Sequence, residues 1–210
     1  LFAGGPPCQS WSSAGHQKGL NDPRGVLFRD FIRIADEVGS RFIVFENVRG
    51  LLTARGPRGI PGEALEIIRK EMSDYGFSSC VSLLNAADFG VPQRRNRLII
   101  YGYKGQSAPK YPETTHSKTS SSELKLKENW VTLGEAIRVL KPLHDSEIIR
   151  PTSRMSERLA GLKPGEGIKS MGKAETTRPG GHWGYLQGGF VADPFLPSRT
   201  ITASSQQDWL

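Results

Sequence analysis

Residues 41–48 read "RFIVFENV". Phe42, Ile43, Val44 and Phe45 make an uninterrupted apolar run of strand length, the pattern of a strand buried in an α/β sheet. The run delivers two polar side chains, Glu46 and Asn47, at its carboxyl end. On the N-terminal side, Leu27, Phe28, Phe31, Ile32, Ile34, Ala35 and Val38 mark one buried helical face, and Gly39 ends it. On the C-terminal side, Leu65, Ile67, Ile68 and Met72 predict a second helix over about 63–75, with Gly76 as its cap. Residues 77–84 and 97–103 read as further strands, and Leu1-Phe2-Ala3 as the tail of an earlier one. Strand, helix, strand, helix, strand predicts an α/β fold on a partial, doubly wound sheet. Ligand groups in open sheets of that kind gather outside the carboxyl ends of the strands, where Glu46 falls.

The stretch "GGPPCQS" at residues 4–10 follows the first strand. Free cysteine most often behaves as a small buried hydrophobe. Here Gly4 and Gly5 allow close backbone approach, while Pro6 and Pro7 lock φ and hold their predecessors extended. A thiol placed directly after such a rigid bend is held at the sheet edge, on the same side as Glu46. Residues 9–26 then show no apolar period and read as a long, mobile loop, a class that is usually functional or disordered.

A chain of 210 residues with 37% hydrophobic content is globular and long enough to bury a substantial core. No apolar run reaches the roughly 18 residues that cross a bilayer, and no signal peptide is present, so the chain reads as soluble. Two cysteines, Cys8 and Cys80, give no disulfide framework, and with four histidines they give no metal-ligand spacing. A reducing compartment fits. The net charge of +7 comes from 28 Lys and Arg residues divided equally about residue 105, which suggests a polyanionic partner without locating it.

Beyond Gly105 the chain turns polar and aperiodic, as in a linker or a long surface excursion. Thr132 with Glu135 forms a capping box ahead of a short helix to about residue 140, and Ser153 begins another to about residue 162. From Lys163 the chain is rich in glycine, with Trp183, Tyr185, Phe190 and Phe195 interleaved. The division expected is residues 1–105 as a partial catalytic domain, 106–196 as a small irregular second domain, and 197–210 as the start of a return to the first.

Three stretches now call for a joint explanation: "GGPPCQSWSSAGHQKGLNDPRGVLF", "FENV" and "DFGVPQRRNR". Together they resemble the DNA cytosine-5 methyltransferase family, as its Pro-Cys nucleophile motif with the following loop and helix, its Glu-Asn-Val motif and its Gln-x-Arg-x-Arg motif. The resemblance covers residues 1–105 closely and reaches "PSRTITASSQQDW" more loosely. It implies a Rossmann-like fold that uses S-adenosylmethionine and acts on double-stranded DNA with a flipped target cytosine, tied in bacteria to restriction and modification.

By that resemblance Cys8 is the nucleophile that adds to carbon 6 of the cytosine, and Glu46 donates to ring nitrogen 3. Arg95 and Arg97 hold the ring oxygen and the carboxylate. Pro7 and Leu27 match cofactor contacts. The loop that closes over DNA supplies Gln9, Ser12, Gln17, Lys18 and Arg24, with Gly15 and Gly19 permitting its movement. The second domain takes the place of the family's target-recognition region, with Arg178, His182, Trp183 and Gln187 as readers of base edges. The resemblance further implies a cytoplasmic, nucleoid-associated bacterial protein with a cognate restriction endonuclease as genetic partner, and no membrane or metal. The family's opening Phe-x-Gly-x-Gly loop and its closing helix are absent from the sequence. The expectation is a fragment, an edited chain or one part of a split enzyme, with little methyl transfer alone. Two alternatives are an RNA cytosine-5 methyltransferase of the same fold and a non-catalytic DNA-binding fragment.

Overall fold

The computed structural model describes residues 1–7, 23–105, 107–118, 127–142, 144–168, 189–201 and 208–209, with residues 23 and 24 described in their backbone only. By contacts the chain divides into two compact units, Leu1–Asn85 with Asn96–Glu113, and Ala86–Arg95 with Thr114–Leu210. No described helix is long and apolar enough to cross a membrane.

The first unit holds β1 (Phe2–Gly4), α1 (Leu27–Glu37), β2 (Phe42–Val48), α2 (Glu63–Asp74), β3 (Ser78–Asn85) and β4 (Asn96–Tyr103). They form one sheet in the order β1-β2-β4-β3. β1 runs parallel to β2, whereas β4 runs antiparallel to both of its neighbours. The fold is α/β as expected, and its sheet is mixed, a direction of pairing that the alternation of elements left open. The cause lies between β3 and β4: residues 86–95 contain only a short 3₁₀ turn, Ala86–Phe89. A parallel return needs a crossover of a dozen or more residues, usually a helix, and without one the chain reverses.

Both helices form for the reasons their sequences give. Each buries one stripe, Phe28, Ile32 and Ala35 on α1 and Leu65, Ile68 and Met72 on α2, whereas Leu27, Ile34 and Val38, expected on the buried face of α1, are exposed because they fall on a neighbouring stripe. Each ends where a glycine accepts positive φ, at Gly39 (+65°) and Gly76 (+78°). At both ends the amide beyond the glycine reaches back five residues, Ser40 to Ala35 and Phe77 to Met72, and so satisfies a terminal carbonyl. The stripes join Ile43 and Phe45 of β2 and Leu98 and Ile100 of β4 in one core. Phe31 of α1 sets its ring edge-on against Phe45.

Strand alternation then decides what lies where. On β2 the buried positions are Ile43, Phe45 and Asn47, and Val44, Glu46 and Val48 occupy the opposite face. On β4, Leu98 and Ile100 are buried, and Arg97, Ile99 and Tyr101 share the other face. Tyr101 stacks there on Tyr111, ring centroids 4.3 Å apart.

The second unit is built from short pieces: β5 (His116–Ser117), β6 (Glu128–Asn129), α3 (Leu133–Arg138), α4 (Ser153–Leu159), β7 (Phe190–Val191) and β8 (Asp208–Trp209). The capping box of Thr132 and Glu135 is formed at the start of α3. The segment before β4 belongs to this unit. Trp130 donates its indole N–H to Asp88 at 2.8 Å, and Arg94 donates its amide to Ser198. Thr200 donates its hydroxyl to the Arg94 carbonyl. Arg199 packs its guanidinium over Phe190 at 3.8 Å and is doubly hydrogen-bonded to Asp208.

Candidate active site

β1 and β2 run in parallel with Gly4 paired to Phe45, so the residues that follow Gly4 pass alongside those that follow Phe45. Gly5 comes against Glu46: a Cβ at Gly5 would lie 2.9 Å from Glu46 Oε2 and 3.3 Å from its carbonyl oxygen. Glycine is therefore what lets the chain and the carboxylate share this edge. Pro6 comes against Asn47, whose Nδ2 donates to the Pro6 carbonyl at 3.2 Å.

From the other side of β2, the antiparallel β4 brings its first residues to the same edge. Glu46 pairs with Ile99 and Val48 with Arg97, which makes Glu46 and Arg97 diagonal neighbours on one face. Arg97 Nε lies 2.6 Å from Glu46 Oε1, with the guanidinium side chain 23% and the carboxylate side chain 43% exposed. Arg97 Nη1 donates to the Asn96 carbonyl at 2.8 Å, so the carboxylate is met side-on through Nε. The N–H donated to Oε1 fixes the orientation of a carboxylate that stays partly open to solvent, where it can make a charge-assisted hydrogen bond to a bound ring.

Of the site residues expected from the sequence, the structure thus brings Glu46 and Arg97 together, with Gly5 and Pro6, which precede Pro7, against Glu46 and Asn47. Arg95 lies in the second unit, where its carbonyl accepts the Ala86 N–H at 3.0 Å. Cys8, Gln9, Ser12, Gln17, Lys18, Arg178, His182, Trp183 and Gln187, and the side chain of Arg24, lie outside the described residues. Pro7 is half-buried, and Leu27 is 39% exposed in the first turn of α1. Apolar surfaces of this kind fit the adenine ring or the methionine stem of S-adenosylmethionine. Neither side chain has a polar atom for its ribose hydroxyls or its charged amino-acid end.

The close approach that Gly5 permits was expected without its partner, Glu46, and the Asn47 clip had no reading from sequence. The signal for both is present in "GGPP" and "FENV", because a Pro-Pro step leaves no N–H to extend a parallel ladder. Something other than the backbone must then hold it.

The family model described as C-5 cytosine-specific DNA methylase matches residues 1–179. The Type II methyltransferase M.FnuDI of Fusobacterium nucleatum is 46% identical over 101 residues, covering 48% of this chain and 28% of that protein. M.AquIA of Picosynechococcus sp., also a Type II methyltransferase, is 36% identical over 150 residues, covering 68% and 60%. M.DdeI of Desulfomicrobium norvegicum is 28% identical over 243 aligned positions, covering 99% and 57%. The chain thus spans between 28% and 60% of the length of these relatives. A solved structure described as a DNA modification methyltransferase encoded within an E. coli prophage superposes with a TM-score of 0.56 at 18% identity, over 95% of this chain and 61% of that one, and so shares its fold. The mixed α/β sheet, the three ordered motifs and the family match agree, and the chain belongs to the C-5 cytosine-specific DNA methylase family.

Proposed function

We propose that this chain carries the cytosine-binding and nucleophilic part of a DNA cytosine-5 methyltransferase of the Type II restriction-modification class. One observation carries the reading. Gly5 and Pro6, three and two residues ahead of Cys8 in the chain, lie against Glu46 and Asn47 at the sheet edge where Glu46 meets Arg97, although Glu46 and Arg97 stand far from Cys8 in sequence.

The chemistry explains each residue type. Carbon 5 of cytosine is a weak nucleophile. Addition of the Cys8 thiolate to carbon 6 forms a C–S bond and moves the ring π electrons toward nitrogen 3. Glu46 serves nitrogen 3, delivering a proton or a strong hydrogen bond there as charge builds on the ring. Arg97 fixes the orientation of that carboxyl group through Oε1, and Arg95 acts on the ring oxygen by analogy with the motif it occupies. S-adenosylmethionine, when bound, supplies an electrophilic methyl group. That methyl group would pass to carbon 5 with the S–CH3 bond broken and the thioether released; loss of the carbon 5 proton to a base then restores the C5–C6 double bond, breaks the C–S bond and frees Cys8 as the thiolate it began as, leaving 5-methylcytosine.

A stacked base is out of reach of this edge, so the target cytosine is taken out of the duplex, at a cost of a few kcal/mol that contacts to the strand offset. Gln9, Ser12, Gln17, Lys18 and Arg24 in the loop after Cys8 serve the backbone. Residues 106–196, with Arg178 and Gln187, read the site. The Type II names of the relatives support a role beside a restriction endonuclease.

The test uses the intact protein with S-adenosylmethionine and a polymerase-made duplex in which 5-fluorodeoxycytidine replaces deoxycytidine throughout. Fluorine cannot leave as a proton does, so the enzyme stays bound to carbon 6. A covalent adduct that Cys8→Ala abolishes is expected; an adduct of equal yield from Cys8→Ala would refute the reading.

A further inference from the structure

Asn47 sits where the sheet runs out of backbone hydrogen bonds. The β1–β2 register ends at Gly4 and Phe45, and Pro6 and Pro7, which lack N–H groups, cannot continue it. Asn47 is 1% exposed, and its side-chain amide is satisfied at both ends. Nδ2 donates to the Pro6 carbonyl at 3.2 Å, and Oδ1 accepts the Val48 N–H at 2.9 Å.

The other buried polar side chains among the described residues serve their own neighbourhoods. Ser40 donates to the Phe42 carbonyl two residues on, and Glu63 accepts from Arg58 five residues back. Asn47 instead reaches a segment 41 positions away. A buried amide in an otherwise apolar strand face costs desolvation, which the two hydrogen bonds offset without a large surplus. Its placement therefore calls for a role beyond stability.

Covalent geometry supplies one. Peptide planes are rigid, and proline fixes φ. Between the anchored Pro6 carbonyl and the Cα of residue 8, the one soft backbone torsion is ψ of Pro7. Anchoring that carbonyl thus sets the position of residue 8 far more tightly than an ordinary loop stem would. On the same stem, Gly5 bears on Glu46. Consecutive residues of β2 thus meet consecutive residues of the stem, Glu46 against Gly5 from one face and Asn47 on Pro6 from the other.

We infer that Asn47 is a positioning residue that sets the attack geometry of Cys8 relative to the Glu46 carboxyl group, by clamping the carbonyl of Pro6. This rests on the reading of Cys8 as the nucleophile. The clamp acts on the reacting geometry and leaves duplex binding alone.

The deciding variant is Asn47→Asp, which keeps the shape and the acceptor for Val48 and removes the donor to Pro6. In the intact protein, with S-adenosylmethionine and the 5-fluorodeoxycytidine duplex, the rate of adduct formation should fall about 100-fold, the cost of roughly an ångström of misplacement at a reacting atom. Affinity for the unsubstituted duplex should stay within about twofold, because the contacts that bind it are elsewhere. Asn47→Ser, which retains a shorter donor, should recover part of the rate. Cys8→Ala is run beside them. If it still forms adduct, the nucleophile reading fails and takes this inference with it. If it forms none while Asn47→Asp traps at the wild-type rate, the positioning inference alone falls. It falls too if rate and affinity drop together in proportion to the folded fraction measured by thermal unfolding. Where Asn47→Asp does not fold, Asn47→Ser is judged by the same two readouts, and failure of both to fold assigns Asn47 to the fold and overturns the inference.

Discussion

Arg97 Nε contacts Glu46 Oε1 at 2.6 Å although the two residues are not opposite each other in the sheet, Arg97 being paired with Val48 and Glu46 with Ile99. The contact is diagonal, and it exists because β4 is antiparallel: the start of β4, not its end, lies at the carboxyl edge of β2. A parallel β4 would carry Arg97 to the far end of the sheet. The reversal of one strand is thus what joins the third motif to the second.

Arg97→Ala should lower the rate of adduct formation with 5-fluorocytosine DNA by about 100-fold, the loss typical for removal of one donor that orients charge in a reacting site. Arg97→Lys should recover only part, since a point charge cannot meet Oε1 side-on while also serving the Asn96 carbonyl. Stability should change little. An ion pair this exposed is worth about 0–1 kcal/mol, and thermal unfolding of the two variants measures it.

Glu63 makes a prediction about acid. It is buried at the first position of α2 and accepts from the Arg58 amide at 3.0 Å and from Arg58 Nε at 2.6 Å. The hydrogen bond from the Arg58 side chain, the largest cause, holds its carboxyl below the ordinary value of 4.5. A carboxyl whose folded-state value is depressed contributes stability that is present above its unfolded value and is lost as pH falls through the folded one. Glu63→Gln should therefore unfold at a lower temperature than wild type at pH 7, and the two midpoints should converge as the pH is taken well below 4.5. A gap that persists unchanged at low pH would show that the ionised carboxylate contributes nothing.

How much of this was legible in the sequence depends on how local the cause was. The periods of α1 and α2, the run in β2 and the Thr132–Glu135 box were readable because each is decided within a few residues. The mixed sheet was not, because the direction of β4 depends on a missing helix between residues 86 and 95 and not on anything within β4. Glu46 was expected at the end of its strand; β2 in fact extends two residues past it, to Val48, because the partner strand supplies ladder bonds that the apolar run does not announce. Glu46 and Arg97 were legible as residue types in known motifs, and their contact was not. The grip of Asn47 on Pro6 needed the register of β1 against β2, which no single stretch contains.

Tyr111 makes the corresponding prediction for alkali. Its hydroxyl lies 2.9 Å from the Cys80 carbonyl and 2.8 Å from that of Ile99, so one proton is shared between β3 and β4. Burial is the main cause that pushes its ionisation well above the ordinary value of 10.0. A group whose folded-state value is raised contributes stability that is complete below its unfolded value and is lost as pH rises. Tyr111→Phe should cost about 1 kcal/mol at pH 7, the worth of a neutral hydrogen bond with two carbonyls left behind. Above pH 10 the variant should lose less stability than wild type with each further step, a crossover that denaturant titrations at two pH values would reveal.

Gly4 and Gly5 are neighbours whose replacement should fail in different ways. A Cβ at Gly4 would lie 2.7 Å from Phe31 Cε2, in the ring pair that Phe31 makes with Phe2 at 4.8 Å. Gly4→Ala must push an aromatic ring in the packed layer, at a cost of about 1–3 kcal/mol, and should show as a lower thermal midpoint. A Cβ at Gly5 meets no core side chain. It would lie 2.9 Å from Glu46 Oε2, the free end of a side chain that is 43% exposed and able to turn away. Gly5→Ala should therefore keep most of its stability while Glu46 leaves Arg97, and adduct formation with 5-fluorocytosine DNA should fall by about 10- to 100-fold as the donor loses its orientation. Stability lost in both variants with trapping intact in Gly5→Ala would mean that the close pass of Gly5 to Glu46 serves packing and not the orientation of the carboxyl group.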